Sequence, residues 1–334
     1  MYKKIVVTKT PLRVSFLGGG TDIENFYKKY SGLSIASTIN KFIYVTVKEH
    51  GQLFNRRFRL SYSKTENKNK LDNIQNDIVR ETLKLIKVDK PLYISSISDI
   101  PSNSGLGSSS AFTVGLIKAL YEFKNIKISN LKIAKIACKI EIERVLSPIG
   151  KQDQYSTALG GFNSFFFKKN SRVSVKKINK ISLINKIFEN SVFIWIGLTR
   201  KTNNILIDQN KSFNLNIQKL IKIKKLANNF LDTLNKKSFS LDEIAKSIDN
   251  SWLIKQSLSK KINNKKIKKI YNESIKNGCL GGKVLGAGGG GFLLVLIKKS
   301  KIKNFVKKMR NYDDSIIITK FKFEPNGSQV ILSL

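Results

Sequence analysis

Pro101-Ser102-Asn103-Ser104-Gly105-Leu106-Gly107-Ser108-Ser109-Ser110-Ala111 is the stretch around which the chain is organised. Its two glycines let the backbone turn with amides outward, and serine hydroxyls crowd that turn. The residues that follow have the composition of a helix start, so the segment reads as an anion site at a helix N-terminus. A phosphate would suit it. It is not a P-loop: the two Gly-Lys pairs, Gly150-Lys151 and Gly282-Lys283, are followed by Gln152 and Val284, so G-x-x-x-x-G-K-[ST] does not occur.

Behind the loop, Phe112, Leu116, Ala119 and Phe123 recur at helical spacing, and residues 91–97 form a strand in front of it. Upstream, residues 3–9 and 12–17 read as two strands, 42–48 as a third with 54–62 as its hairpin partner, and 74–87 as an amphipathic helix. Downstream, a helix over 131–146 ends at Pro148 and Gly150. A short helical turn carrying Asp153 then leads through Gly160-Gly161 into an aromatic strand. The apolar run Val192-Phe193-Ile194-Trp195-Ile196-Gly197-Leu198 predicts a strand buried on both faces, followed by helices at 214–235, 240–258 and 264–277. Strands at 283–285 and 291–298, a helix at 301–310 and strands at 315–321 and 328–333 complete a second lobe. Strands and helices mixed without strict alternation predict the α+β class, with one domain over residues 1–185 and another over 186–334.

Composition narrows the function. No apolar run approaches the roughly 20 residues of a membrane span, and the first residues are too briefly apolar for a signal peptide, so the expectation is a cytoplasmic protein with no membrane partner. Cys138 and Cys279 lack the spacing of a zinc site or a disulfide framework and read as buried thiols, and the single histidine, His50, excludes any site needing two imidazoles. The net charge of +38 is spread through nearly every segment and is not gathered into an aromatic-studded stripe, so nucleic acid is not the expected partner. Phosphorylated substrates would still be favoured.

Two further glycine clusters stand beside the opening loop: Gly18-Gly19-Gly20 and Gly286-Ala287-Gly288-Gly289-Gly290-Gly291. The last matches G-x-G-x-x-G, but a strand follows it where a dinucleotide fold needs a helix. A protein-kinase reading fails because neither His-Arg-Asp nor Asp-Phe-Gly occurs. Alone, each cluster reads better as a plain structural turn. Their order, Pro-x-x-Arg-Val-x-Phe-x-Gly-Gly-Gly-Thr-Asp, then Pro-x-x-x-Gly-Leu-Gly-Ser-Ser, then Gly-Ala-Gly-Gly-Gly-Gly, resembles the three motifs of the GHMP small-molecule kinases. Within them, Gly18 to Asp22, Thr38-Ile39-Asn40-Lys41, Gly150 to Tyr155, Gly160 to Asn163 and Leu280 to Lys283 look like the branch of D-glycero-D-manno-heptose 7-phosphate kinases. The likeness runs over essentially the whole chain.

The resemblance implies two lobes, an amino-terminal domain like the second domain of ribosomal protein S5 and a ferredoxin-like carboxyl-terminal lobe. ATP and substrate would meet between them, with magnesium. Ser104, Gly105, Leu106, Gly107, Ser108, Ser109 and Ser110 would wrap the triphosphate with their amides. Ser109 matches the hydroxyl that binds magnesium, and Glu143 matches its acidic ligand. Asp153 falls at the family's catalytic aspartate and would take the acceptor proton, with Arg13 stabilising charge on the acceptor oxygen. Galactokinases have Gly-Glu-His-Thr-Asp where this chain has Gly18-Gly19-Gly20-Thr21-Asp22; Gly19, Gly20, Thr21 and Asp22 would therefore form an enlarged sugar pocket. Lys41, Lys151 and Arg200 are nominated for the substrate's own phosphate, and Gly288 and Gly289 for contact with the substrate. The implied partner is a sugar phosphate, and a homodimer is left open. The alternatives are a superfamily kinase for a fucose- or galactose-like sugar, or a non-catalytic anion- or RNA-binding protein on the same fold.

Overall fold

A computed structural model of the 334-residue chain describes residues 2–51, 53–197, 202–236 and 239–334. Two long strands, β1 (Ile5–Leu17) and, after the short helix α1 (Glu24–Tyr30), β2 (Gly32–Glu49), are the spine of the first lobe. They pair antiparallel from Ile5↔Lys48 to Leu17↔Ile35. The two strands expected at 3–9 and 12–17 are one. Pro11 lacks an amide hydrogen, and the register slips between Pro11 and Leu12 as β1 continues through.

β3 (Phe58–Ser61) and β4 (Thr65–Lys68) form a hairpin with each other, not with β2 as expected for residues 54–62. After α2 (Asp77–Ile86), β5 (Leu92–Ser98) takes the edge of β2, and β3 lies parallel to β5. The helices α3 (Ser108–Phe123), α4 (Asn130–Cys138) and α5 (Gln152–Leu159) come next, followed by β6 (Phe162–Phe167) and β7 (Val173–Lys177), which extend the sheet beside the first half of β2. α3 is central. Ala111, Val114, Leu116, Ile117, Leu120 and Phe123 are all buried, as expected of a helix apolar nearly all round.

α6 (Ile181–Glu189) leads to β8 (Ser191–Trp195), the buried strand read at 192–198. The helices α7 (Thr202–Lys211), α8 (Phe213–Asn235), α9 (Leu241–Gln256) and α10 (Lys265–Lys276) precede β9 (Gly281–Val284) and β10 (Phe292–Leu296), and α11 (Ile302–Tyr312) precedes β11 (Ile317–Thr319). The second sheet runs β11-β8-β10-β9, each neighbour antiparallel. The Ser240 hydroxyl accepts the Asp242 amide and starts α9, with Asp242 and Glu243 on the positive end of its dipole.

The last strand, β12 (Gln329–Ser333), crosses back and pairs with the free edge of β1, from Val6↔Ser333 to Lys9↔Gln329. The first sheet therefore runs β12-β1-β2-β5-β3-β4, and a single cut between residues 185 and 186 does not divide the lobes. Phe16 of β1 stacks on Phe162 and Phe230, which joins the first sheet to α8 through one continuous aromatic core. Among the described residues, no helix is long and apolar enough to cross a membrane.

Candidate active site

A cavity of about 450 Å³ opens between the lobes. The loop opened on above forms one wall. Gly105 and Gly107 both hold positive φ (+81° and +77°), which turns the chain sharply before α3 begins at Ser108. Gly107 stands at the N-cap and has no side chain to bond the first amides of α3, so these are left for a ligand. The hydroxyls of Ser104 and Ser108 are buried and have no partner among the described residues. Orphaned donors beside free helix amides suit phosphate oxygens.

The third glycine cluster explains how the loop is held. A Cβ on Gly286 would lie 2.6 Å from Gly105 Cα, so backbone meets backbone where the lobes touch. The Phe292 amide donates to Ser104 O at 3.2 Å just beyond it. Gly286 and Ala287 line the cavity, whereas Gly288 and Gly289 pack against Ile262, and the Gly289 amide donates to Ile262 O. Those two glycines shape the second lobe and do not reach the cavity.

Against the loop lies a forked ion pair. Arg13 Nε donates to Asp153 Oδ1 at 2.7 Å and Nη2 to Oδ2 at 2.5 Å, while Nη1 donates to Gly105 O at 2.6 Å. β1 supplies the arginine, the first turn of α5 the aspartate, and the guanidinium ties both to the phosphate-type loop. Gln152 Nε2 adds a 3.1 Å bond to Asp153 Oδ1 and is itself oriented by the Ser15 hydroxyl. Asp153 keeps part of its carboxylate open to the cavity. Asp22 lies next to this pair. Its carboxylate accepts the Gly20 amide at 3.0 Å and the Gln152 amide at 3.1 Å; burial raises its pKa, and those bonds oppose the rise. Gly19 and Gly20 line the cavity beside it, but Thr21 is fully buried and holds the turn through its bonds to Gly18 O and Leu33 O. Leu106 is likewise buried in the core.

The acid opposite Ser109 is Glu141, not Glu143. Ser109 and Ser110 donate to its two carboxylate oxygens at 2.7 and 2.8 Å, and Gln154 Nε2 donates at 2.7 Å. Glu143 is exposed. The helix expected over 131–146 widens into a π-helical turn at Lys139–Arg144, which shifts the residue facing the loop relative to a regular α-helix. Burial raises the Glu141 pKa, and the bonds from Ser109, Ser110 and Gln154 work against that rise.

The two described cations nominated for phosphate binding, Lys41 and Lys151, do not line this cavity. Lys151 turns away, with Nζ over the Tyr27 ring and within 3.3 Å of Ser171 O, and Arg200 falls outside the described residues. Two lysines that the sequence reading passed over are closer. Lys255, near the end of α9, lines the cavity and bonds Gly286 O. Lys283 of β9 reaches across to Ser15 O and Phe16 O at 2.9 and 3.0 Å, a buried strut between the lobes, and its burial lowers its pKa well below the ordinary lysine value.

Comparison with known proteins gives the family. The model of the GHMP kinases N terminal domain matches residues 74–161, and that of the GHMP kinases C terminal matches 231–314. The chain is 33% identical to the D-glycero-alpha-D-manno-heptose 7-phosphate kinase of Campylobacter jejuni, over 97% of this chain and 98% of the relative. Among solved structures, a candidate sugar kinase from C. jejuni superposes with a TM-score of 0.78 at 29% identity, covering 99% of each chain. A D-glycero-D-manno-heptose 1-phosphate kinase from Bacteroides thetaiotaomicron shares the fold, with a TM-score of 0.78 at 22% identity over 98% of this chain and 99% of that one. With its motifs, its two lobes and its full-length similarity all in agreement, the chain belongs to the GHMP kinases.

Proposed function

We propose that the chain is an ATP- and magnesium-dependent cytoplasmic kinase. It phosphorylates the anomeric hydroxyl of D-glycero-D-manno-heptose 7-phosphate to the 1,7-bisphosphate, on the way to nucleotide-activated heptose. The chemistry rests on one observation: the Asp153 carboxylate, fixed by Arg13, opens on the same cavity as the loop of free amides. A hydroxyl placed between them would lose its proton to Asp153 as its oxygen attacks phosphorus. The acceptor is proposed from the Campylobacter relative. Asp22 is placed to accept a sugar hydroxyl, and Gly19 and Gly20 leave the room that a seven-carbon sugar needs. Every residue named belongs to one chain, so the reading requires no second copy. Nucleic acid has no part in it.

The residues present fit the two groups that the family implies. Ser104, Ser108 and the first amides of α3 would hold the triphosphate, and Ser109 with Glu141 would hold the magnesium ion. Such an ion would be bound by one carboxylate, one hydroxyl and the nucleotide's phosphates. The ion would supply neutralising charge to those phosphates.

Release of ADP across a panel of sugars and sugar phosphates, with phosphorus NMR of the product, tests the acceptor. Turnover is expected on heptose 7-phosphate, with a new anomeric phosphate resonance; preference for an unphosphorylated sugar would overturn the substrate. Magnesium titrations test the metal site. Glu141→Gln should raise the magnesium concentration for half-maximal rate at least about tenfold, the size of a weakened charge-assisted contact. Glu143→Gln should leave it unchanged, and the opposite pattern would return the role to Glu143.

A further inference from the structure

Among the described residues, only two cations line the cavity, Arg13 and Lys255, and they differ in what remains unspent. Each nitrogen of the Arg13 guanidinium already donates to Asp153 or Gly105. Lys255 is 9% exposed, makes no ion pair with a described carboxylate, and bonds through Nζ to Gly286 O. An ammonium has three protons, so that bond leaves two. Burying a charge without an ionic partner is costly, and such a group in a cleft is a candidate for function.

Its surroundings identify the ligand. Lys255 reaches from α9 of the second lobe to Gly286, and Gly286 packs on Gly105 of the phosphate-type loop. Asp153, Arg13 and Asp22 act on it from the first lobe, and Lys283 lies near it on β9. Lys255 thus stands where the loop, the catalytic pair and the third glycine cluster meet. The acceptor's own phosphate would hang from the far end of the sugar.

We propose that Lys255 is a catalytic residue whose ammonium contacts the oxygens of the phosphoryl group during transfer. This deepens the kinase reading of the same site and rests on it. In the step, the acceptor oxygen bonds to the γ-phosphorus while the bond to the leaving oxygen of ADP breaks. The acceptor proton passes to Asp153, and Lys255 keeps its own protons and balances charge on the phosphoryl oxygens.

The test uses the full chain with Lys255→Met and Lys255→Gln, the second keeping a donor for Gly286 O without the charge. In both variants kcat should fall about 10²–10³-fold, with the acceptor KM and the affinity for a non-hydrolysable ATP analogue within about threefold of wild type. Burial, and then the charge of Arg13, lowers the Lys255 pKa to about 8, against the pull of Asp22 and Asp153. The ammonium is therefore lost as pH rises through 8. Wild-type kcat/KM should show a basic limb there, and both variants should lack it. Recovery in Lys255→Gln would assign the effect to the Gly286 contact and overturn the proposal, as would a loss confined to the acceptor KM. Slow ATP hydrolysis, with water as acceptor, separates the two readings. A wild-type protein that neither hydrolyses ATP nor phosphorylates any sugar overturns both, whereas one that hydrolyses ATP in a Lys255-dependent way but phosphorylates no sugar overturns only the acceptor.

Discussion

Asp153→Asn should lower turnover by roughly 10²–10⁴, or about 3–5.5 kcal/mol of barrier, and leave ATP affinity close to wild type. The amide is nearly isosteric, so α5 and the cavity keep their shape, but it cannot take the acceptor proton. One of its two heads must also present N–H groups to Arg13, which offers only donors, so half of the fork is lost. In the proposed reading, nucleotide binding rests instead on the amides of α3 and the serines of the loop. The check is steady-state kcat beside titration with a non-hydrolysable ATP analogue. Near-normal turnover would remove the general-base role, and a matching loss of ATP affinity would recast Asp153 as a binding residue.

Gly18→Ala should cost about 4 kcal/mol of folding stability. Gly18 has a φ of +81°, and an added Cβ would stand 1.9 Å from Leu33 O, a backbone atom that cannot swing away. Positive φ in a residue with a Cβ carries roughly 1–3 kcal/mol of strain, and overpacking adds about the same again. Gly19→Ala is the control. Gly19 is not in the positive-φ region and has only the Ser15 hydroxyl, 3.7 Å away, near its missing Cβ, but it lines the cavity. It should keep its stability within about 0.5 kcal/mol and instead raise the acceptor KM. Urea unfolding of both variants decides the point; equal destabilisation would show that the whole turn serves only the backbone.

The loop is legible as an anion site from its own glycines and serines, whereas the roles of Arg13, Asp153 and Asp22 follow only from the resemblance to the GHMP kinases, which their motifs carry. Glu141 was legible in neither way, since a regular helical period cannot reveal a π turn that changes which acid faces Ser109. β3 was misassigned for another reason. Residues 54–62 and 91–97 have equal claim to the edge of β2 by composition, and only the packed sheet gives it to β5. Lys255 was hidden among 61 lysines and arginines, yet a signal existed: Ile244, Ile248, Ser251 and Lys255 share one helical stripe, and all are buried. A lysine on the apolar face of a helix is an anomaly that charge counting passes over. Lys283, in a strand buried along its length, is the same anomaly at a two-residue period.

The return of β12 to β1 also sets when this protein can fold. Thr10 and Ser328 share a 2.7 Å hydrogen bond although they are 318 positions apart. As the ribosome makes the chain, the outer edge of β1 stays unpaired until residues 329–333 have emerged, by which time the entire second lobe has been made. Contacts this distant in sequence slow folding and leave an open strand edge exposed to other chains meanwhile.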